Sequence, residues 1–304
     1  MVTGEGAVRS RVQRPTDISS PEATLRGIAE TVDEALAASG VGRADLSGVG
    51  LGIPGKVDPI RGVGILSVNL AWHDVPVTSA LESALGLACF IENDVKAAAL
   101  GESRYGAGRG LRNLIYLALG TGIAAGILID GKLYRGSTGM AGEIGHAVVD
   151  RQGALCKCGS RGCFEAQAAG PGIAARANEA RAVHPEGELQ PDGASRLTGL
   201  APLTAEAVLS AARDDPLAQR ILAETAGDVG LAIRWLITAF DPEMIVLGGG
   251  VAGAGERLLD AVRAELERQA DESLVFRELY KPELVQLTAL GSDAGILGAA
   301  ALVP

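Results

Sequence analysis

The chain has 304 residues, 47% of them hydrophobic, with 42 glycines, enough to bury the cores of two modest domains and too apolar for a disordered polymer. Its formal charge of −10, with no local run of Lys and Arg, argues against nucleic acid as a partner, because phosphate binding rests on a clustered basic surface. No apolar run reaches the ~18 residues of a membrane span, and Met1-Val-Thr-Gly-Glu-Gly6 lacks the charged start and apolar middle of a signal peptide, so the expected location is cytoplasmic, with no membrane partner.

In chain order, Val2-Thr-Gly-Glu-Gly-Ala-Val8 reads as a hairpin. Ser20-Pro21-Glu22 starts a helix with a capping serine and a proline at the first helical position, Leu25, Ile28, Val32 and Leu36 follow at helical spacing, and Gly40 ends it. Leu46 to Ile53 reads as a buried strand closing on the turn Gly52-Ile-Pro-Gly55, where glycines let a ligand approach the backbone. Ala88 to Glu92 is a short strand that hands over, through Asn93 and Asp94, to an alanine-rich helix from Val95 to about Tyr105. An aspartate at that point serves either as a helix cap or as a catalytic carboxylate.

Leu114 to Leu119, the turn Gly120-Thr121-Gly122, Ile123 to Ile129, Asp130-Gly131 and Lys132 to Tyr134 read as a meander of three strands with one tight hairpin. Residues 181 to 200, rich in Glu, Gly, Pro and Ser, read as a loop. A helix over 204 to 213, a long apolar helix from Leu217 to Phe240, a strand from Met244 to Leu247, the turn Gly248-Gly249-Gly250, a helix from Gly255 to Gln269, a strand from Leu284 to Leu290 and a last helix from Asp293 complete the pattern. His73, His184 and Trp235 read as surface, loop and core. The hairpin at 129–133 repeats the one at 2–8 but is preceded by a strand and a glycine turn; if the halves are duplicated, the first lacks such a piece of roughly ten to fifteen residues.

The second half carries the most informative cluster. His146, Cys156, Cys158 and Cys163 form an H-x9-C-x-C-x4-C pattern that holds three of the chain's four cysteines. The turn Cys158-Gly-Ser-Arg-Gly-Cys163 lets thiolates converge as soft donors to a tetrahedral ion, for which zinc is the natural occupant. Four protein ligands leave no open position, so the metal is structural, and fixing this loop also fixes Glu143 and Glu165 at its two ends. Cys89 remains a free thiol, in keeping with a reducing compartment.

Taken together, Gly52-Ile-Pro-Gly-Lys-Val-Asp58, Asn69-Leu-Ala-Trp72, Glu92-Asn-Asp94, Gly120-Thr-Gly-Ile123, Gly142-Glu-Ile-Gly-His146 and Cys156-Lys-Cys-Gly-Ser-Arg-Gly-Cys-Phe-Glu165 resemble, in order and over nearly the whole chain, the ROK family of sugar kinases and sugar-responsive repressors, its bacterial glucokinase branch most closely. The resemblance implies an α/β, actin-like (RNase H-like) duplicated fold of two lobes around a central cleft. Residues 1–110 would form the first lobe, joined by the helix 293–304, and 111–292 the second. It implies ATP-dependent phosphorylation of a hexose, glucose above all, with ATP and Mg²⁺ as phosphoryl donor, structural Zn²⁺ on His146, Cys156, Cys158 and Cys163, and a homodimer or higher homo-oligomer. Asp94 would be the general base; Asn69, Asn93, Glu143, His146 and Glu165 would bind the sugar; Gly120, Thr121, Gly122, Gly248, Gly249 and Gly250 would bind the nucleotide. Two departures stand out: Ala124-Ala125-Gly126 replaces a run of three glycines, and the family's opening Asp-x-Gly-Gly-Thr strand is not found, as expected of a truncation or a misassigned start. A sugar-sensing regulator or an inactive sugar binder of the same family is the alternative.

Overall fold

The computed structural model describes residues 1–183, 197 and 203–304, so most of the loop expected over 181–200, including His184, lies outside the described residues. In chain order the elements are α1 (Pro21–Ser39), β1 (Val49–Ile53), β2 (Lys56–Asp58), β3 (Val63–Ser67), β4 (Trp72–Val75), α2 (Val77–Leu85), β5 (Cys89–Asn93), α3 (Asp94–Tyr105), β6 (Leu114–Leu119), β7 (Ile123–Ile129), β8 (Lys132–Leu133), α4 (Phe164–Ala168), α5 (Gly170–Val183), α6 (Ala205–Ala211), α7 (Pro216–Phe240), β9 (Met244–Gly248), α8 (Glu256–Asp271), α9 (Leu274–Leu279), β10 (Val285–Leu287) and α10 (Ala294–Ala300). They fall into two compact units, one of Met1–Arg112, Gly126–Ala141 and Ser292–Pro304, the other of Asn113–Ala125 and Gly142–Gly291.

In the first unit α1 begins as its sequence predicts: Ser20 Oγ accepts the Ala23 N–H at 3.1 Å, and Gly40 closes the helix in the left-handed conformation. β1 pairs in parallel with β5, from Val49 opposite Cys89 to Ile53 opposite Asn93. The strand begins at Val49, later than the expected Leu46; residues 46–48, after a 3₁₀ turn at Arg43–Asp45, are irregular. Between β1 and β5 the chain adds an antiparallel sheet, β2-β3-β4, and the helix α2. None of these was legible beforehand, because Lys56-Val-Asp58 and Trp72-His-Asp-Val75 are too short and polar to show a period of two. Their apolar residues Val57, Trp72, Val75, Val77, Leu81 and Leu85 nevertheless make one core with Ile53, Cys89 and Ile91, against which Leu25, Ile28 and Val32 of α1 pack.

The antiparallel hairpin of β7 and β8 sets Leu128 opposite Leu133 and Ile129 opposite Lys132, with Asp130 and Gly131 both at positive φ as a two-residue primed turn requires. The hairpin of residues 2–8 shortens to a single bridge between Val2 and Val8.

The second unit holds a parallel sheet in the order β10-β9-β6, with Leu114 opposite Met244 and Ala118 opposite Gly248. β6, Leu-Ile-Tyr-Leu-Ala-Leu, is apolar throughout because a parallel strand is covered on both faces. The expected strand 284–290 contracts to Val285–Leu287, since Pro282–Leu284 is a 3₁₀ turn. The 25-residue α7 starts on Asp215, whose Oδ1 accepts the Ala218 N–H, and buries Ile221, Val229, Ile233 and Ile237. Among the described residues no helix is long and apolar enough to cross a membrane.

α10 packs on α3 and β1 within the first unit. A Cβ on Gly50 would stand 1.8 Å from Ala299 O, so backbone meets backbone there. Gly50→Ala is expected to lose about 1–3 kcal/mol by overpacking, read as a lower urea midpoint at unchanged m-value.

Candidate functional site

In the first unit the candidate residues Asn93 and Asp94 lie where β5 ends and α3 begins. Asn93 is the N-cap of α3: its Oδ1 accepts the N–H groups of Val95 and Lys96, both at 3.1 Å. Its amide donates to Gly55 O and to Asp94 Oδ1, again both at 3.1 Å. The side chain thus spends both donors and its acceptor on fixing the turn and aiming Asp94. Asp94 Oδ1 also accepts the Val95 N–H at 3.0 Å. Partial desolvation is the largest influence on Asp94 and raises its pKa above the ordinary aspartate value, while these hydrogen bonds and the charge of Lys96 pull the other way. Its side chain is open to solvent at the turn, so the group is an exposed carboxylate oriented by its own helix and held above the ordinary aspartate pKa by its partly desolvated surroundings.

Glu92, 1% exposed, supports this turn from the strand side. Its Oε1 accepts the Asn93 N–H at 2.9 Å, and its Oε2 accepts Nε and Nη2 of Arg135, each at 2.7 Å. Asn69 is exposed in the turn joining β3 to β4 and makes no hydrogen bond to Asn93 or Asp94 among the described residues.

In the second unit the two glycine turns follow β6 and β9, which are paired neighbours, so the turns are neighbours too. Val251 N–H donates to Leu119 O at 2.8 Å, and Gly170 N–H to Gly120 O at 2.8 Å. Thr121, Gly249 and Gly250 are exposed. Backbone N–H groups with no side chain in the way at the ends of parallel strands form a surface suited to phosphate and nucleotide.

Beside them the start of β7 organises the remaining candidates. Ala125 N–H donates to Gly142 O at 2.7 Å, and Cβ atoms on Gly142 and Gly145 would stand 1.9 Å from Ala125 O and 2.1 Å from Ile123 O. Only glycines let this segment lie so close to the strand, and the fit projects Glu143 and His146 from either side of Gly145. The Ile123 N–H donates to Glu165 Oε2 at 3.0 Å, which places the third candidate, in the first turn of α4, at the same strand end and beside Gly122.

The chain after His146 doubles back on residues 161–164, through the Val148–Cys163 bridge and the Phe164 N–H on Ala147 O at 2.8 Å. The ligand atoms of His146, Cys156, Cys158 and Cys163 lie within 4.8 Å of one another. Cys158 Sγ is 3.6 Å from Cys163 Sγ, and Cys156 Sγ is 3.8 Å from His146 Nδ1. Tetrahedral zinc with Zn–S bonds of about 2.3 Å separates its ligands by about 3.8 Å, so the four residues fit the ion. With Nδ1 facing the cysteines, Nε2 of His146 points elsewhere. The thiols differ: the Ser160 N–H, followed by the neighbouring thiols, pulls Cys158 down to about 6, whereas burial pushes Cys163 up to about 12. A divalent cation would bind all three as thiolates and release their protons. Cys89, buried in the first unit and raised to about 11, takes no part.

The structure therefore holds Asn93, Asp94 and Asn69 in one unit, and Gly120, Thr121, Gly122, Glu143, His146, Glu165 and the 248–250 turn in the other. Sequence reasoning passed over Arg135 and Lys96. Glu92 was part of a motif, but no sequence signal pairs it with an arginine 43 positions on.

The ROK family pattern matches residues 1–304, and the chain belongs to that family. It is 36% identical over 305 residues to a glucokinase of Halalkalibacterium halodurans, covering 99% of this chain and 90% of the relative. Its structure is similar to that of a ROK family glucokinase from Streptomyces griseus in complex with glucose and AMPPNP, with TM-score 0.82 and 34% identity over 99% of this chain and 94% of the other. A xylose repressor of Caldicellulosiruptor bescii is 30% identical over 257 residues, 84% of this chain and 62% of the repressor. The α/β, actin-like fold class expected from the motifs is that of the family.

Gly145→Ala tests the glycine contact on β7: the segment must shift, stability is expected to fall by about 1–3 kcal/mol, and the thermal midpoint to drop, which calorimetry reads.

Proposed function

We propose that the protein is an ATP-dependent sugar kinase that transfers the γ-phosphoryl group of ATP, with Mg²⁺, to glucose and forms glucose 6-phosphate. The observation that carries this reading is Asp94, a solvent-exposed carboxylate held at a helix start by Asn93 and raised in pKa by partial desolvation, in a chain that aligns along almost its whole length with glucokinases. Asp94 takes the proton of the attacking hydroxyl as its oxygen bonds to the γ-phosphorus and ADP departs with the bridging oxygen. Because phosphoryl transfer gains most from placing nucleophile and phosphate in line, a rigidly held base matters more than a strong one.

Glu143 and Glu165 accept hydrogen bonds from sugar hydroxyls in this proposal, and His146 donates through Nε2. Asn93 acts through Asp94. The turns 120–122 and 248–250 receive phosphate and nucleotide. Zinc on His146, Cys156, Cys158 and Cys163 is structural, since its four ligands are all protein atoms. A second reading, a sugar-sensing regulator, is favoured only by the kinship with xylose repressors.

ADP release from ATP over a panel of glucose, mannose, fructose, N-acetylglucosamine and N-acetylmannosamine tests the proposal; turnover is expected to be fastest with glucose, and no turnover on any sugar would refute it. Asp94→Asn is expected to lower kcat by roughly 10²- to 10⁴-fold. A base is active only when deprotonated, so kcat/KM should fall as pH drops through the Asp94 pKa, and the raised value puts that acid limb above the range of a surface aspartate. Elemental analysis should find about one zinc per chain, and Cys163→Ser should lose the metal and raise the KM for glucose.

A further inference from the structure

We propose that Lys96 and Arg135 form a two-cation clamp on the turn that carries Asp94, Arg135 aiming it through Glu92 and Lys96 holding a fixed positive charge beside it. The inference rests on the kinase reading above. Neither residue touches substrate in this proposal; both are positioning residues.

The geometry comes from one segment of chain, the stretch after β8 in the first unit. At its start Arg135 places Nε and Nη2 at 2.7 Å from Glu92 Oε2. Glu92 holds the Asn93 N–H through its other oxygen, so the guanidinium compensates a buried carboxylate that fixes the capping residue of α3. Four residues on, Gly139 O accepts Lys96 Nζ at 3.1 Å. Lys96 is 3% exposed, and its own N–H lies on Asn93 Oδ1. A lysine in the first turn of a helix is ordinarily a solvated side chain, and there the helix dipole disfavours a cation. Here its stem and head are buried, two residues along the chain from the solvent-exposed Asp94.

The charges around Asp94 are few. Lys96 is the one whose charge acts on it, favouring the ionised form against partial desolvation. Glu92 is matched by Arg135. β1 (Val-Gly-Leu-Gly-Ile) and α10 (Ala-Gly-Ile-Leu-Gly-Ala-Ala) also pack on α3 and bring no charged side chain, and Asp293 at the start of α10 is paired with Arg11. With one cation offsetting that desolvation, removing it should make Asp94 harder to ionise.

The test is steady-state kinetics of the full chain with glucose and ATP from about pH 5 to pH 9. Lys96→Met should move the acid limb of kcat/KM upward by about half to one pH unit, and Lys96→Arg should keep it where it is. Lys96→Gln, which can still donate to Gly139 O without a charge, should shift the limb as Met does and serves if Met prevents folding. The double variant Glu92→Gln/Arg135→Met removes the pair without leaving a buried charge and should lower kcat about tenfold with a smaller change in KM. An acid limb that stays in place in folded Lys96→Met or Lys96→Gln, or a double variant with wild-type kcat, overturns the clamp while leaving the kinase reading intact. A wild-type chain that turns over no sugar overturns the kinase reading itself.

Discussion

Backbone lying directly on backbone at the start of β7 organises the second unit's candidate site. The Gly142 and Gly145 contacts on Ala125 and Ile123 leave no room for a side chain, and that closeness decides where Glu143 and His146 project. The same strand end offers the Ile123 N–H to Glu165. Three candidate residues from two separated stretches thus share one short piece of strand as their reference. The stretch between them is closed on itself by Val148 pairing with Cys163 and by the convergence of His146 with three cysteines. A metal there would brace a loop whose ends are already tied to β7, turning a local backbone fit into a rigid one.

Electrostatics governs the first unit's contribution. Partial desolvation works against ionising Asp94, and Asn93 answers with hydrogen-bond geometry and Lys96 with charge. Asn93 carries a capping role and an aiming role at once, since its oxygen satisfies two N–H groups of α3 while its amide holds Gly55 O and Asp94 Oδ1. Glu92, unlike Asp94, is buried, and it is tolerated because Arg135 pairs with it; a buried carboxylate without a partner would be strongly destabilising. A chain with a formal charge of −10 thus places two of its cations beside the buried Glu92 and the neighbouring Asp94.

The glycine turns 120–122 and 248–250 are adjacent for a topological reason. β6 and β9 are parallel neighbours, so the turns after them leave from the same edge of the sheet, where α/β proteins commonly bind their ligands. The pattern Gly248, Gly250, Gly253 taken alone resembles a dinucleotide fingerprint; its place late in the chain and its pairing with the 120–122 turn distinguish it.

Much of this was legible from residues alone. Helical spacing and the Ser20-Pro21 start located α1, composition located the alanine-rich α3 and the apolar α7, and the spacing of His146, Cys156, Cys158 and Cys163 pointed to a metal knuckle because ligand convergence there is largely local. The family motifs carried the fold class. The β2-β3-β4 sheet and α2 were not legible, because strands of three to five residues owe their identity to the Trp72 core rather than to their own pattern. The pairing of Glu92 with Arg135, the seat of Lys96 on Gly139 O and the full commitment of the Asn93 amide depended on the tertiary structure. A sequence states which groups are available, whereas the partner of a buried charge is chosen by whichever distant residue the fold brings within hydrogen-bond reach.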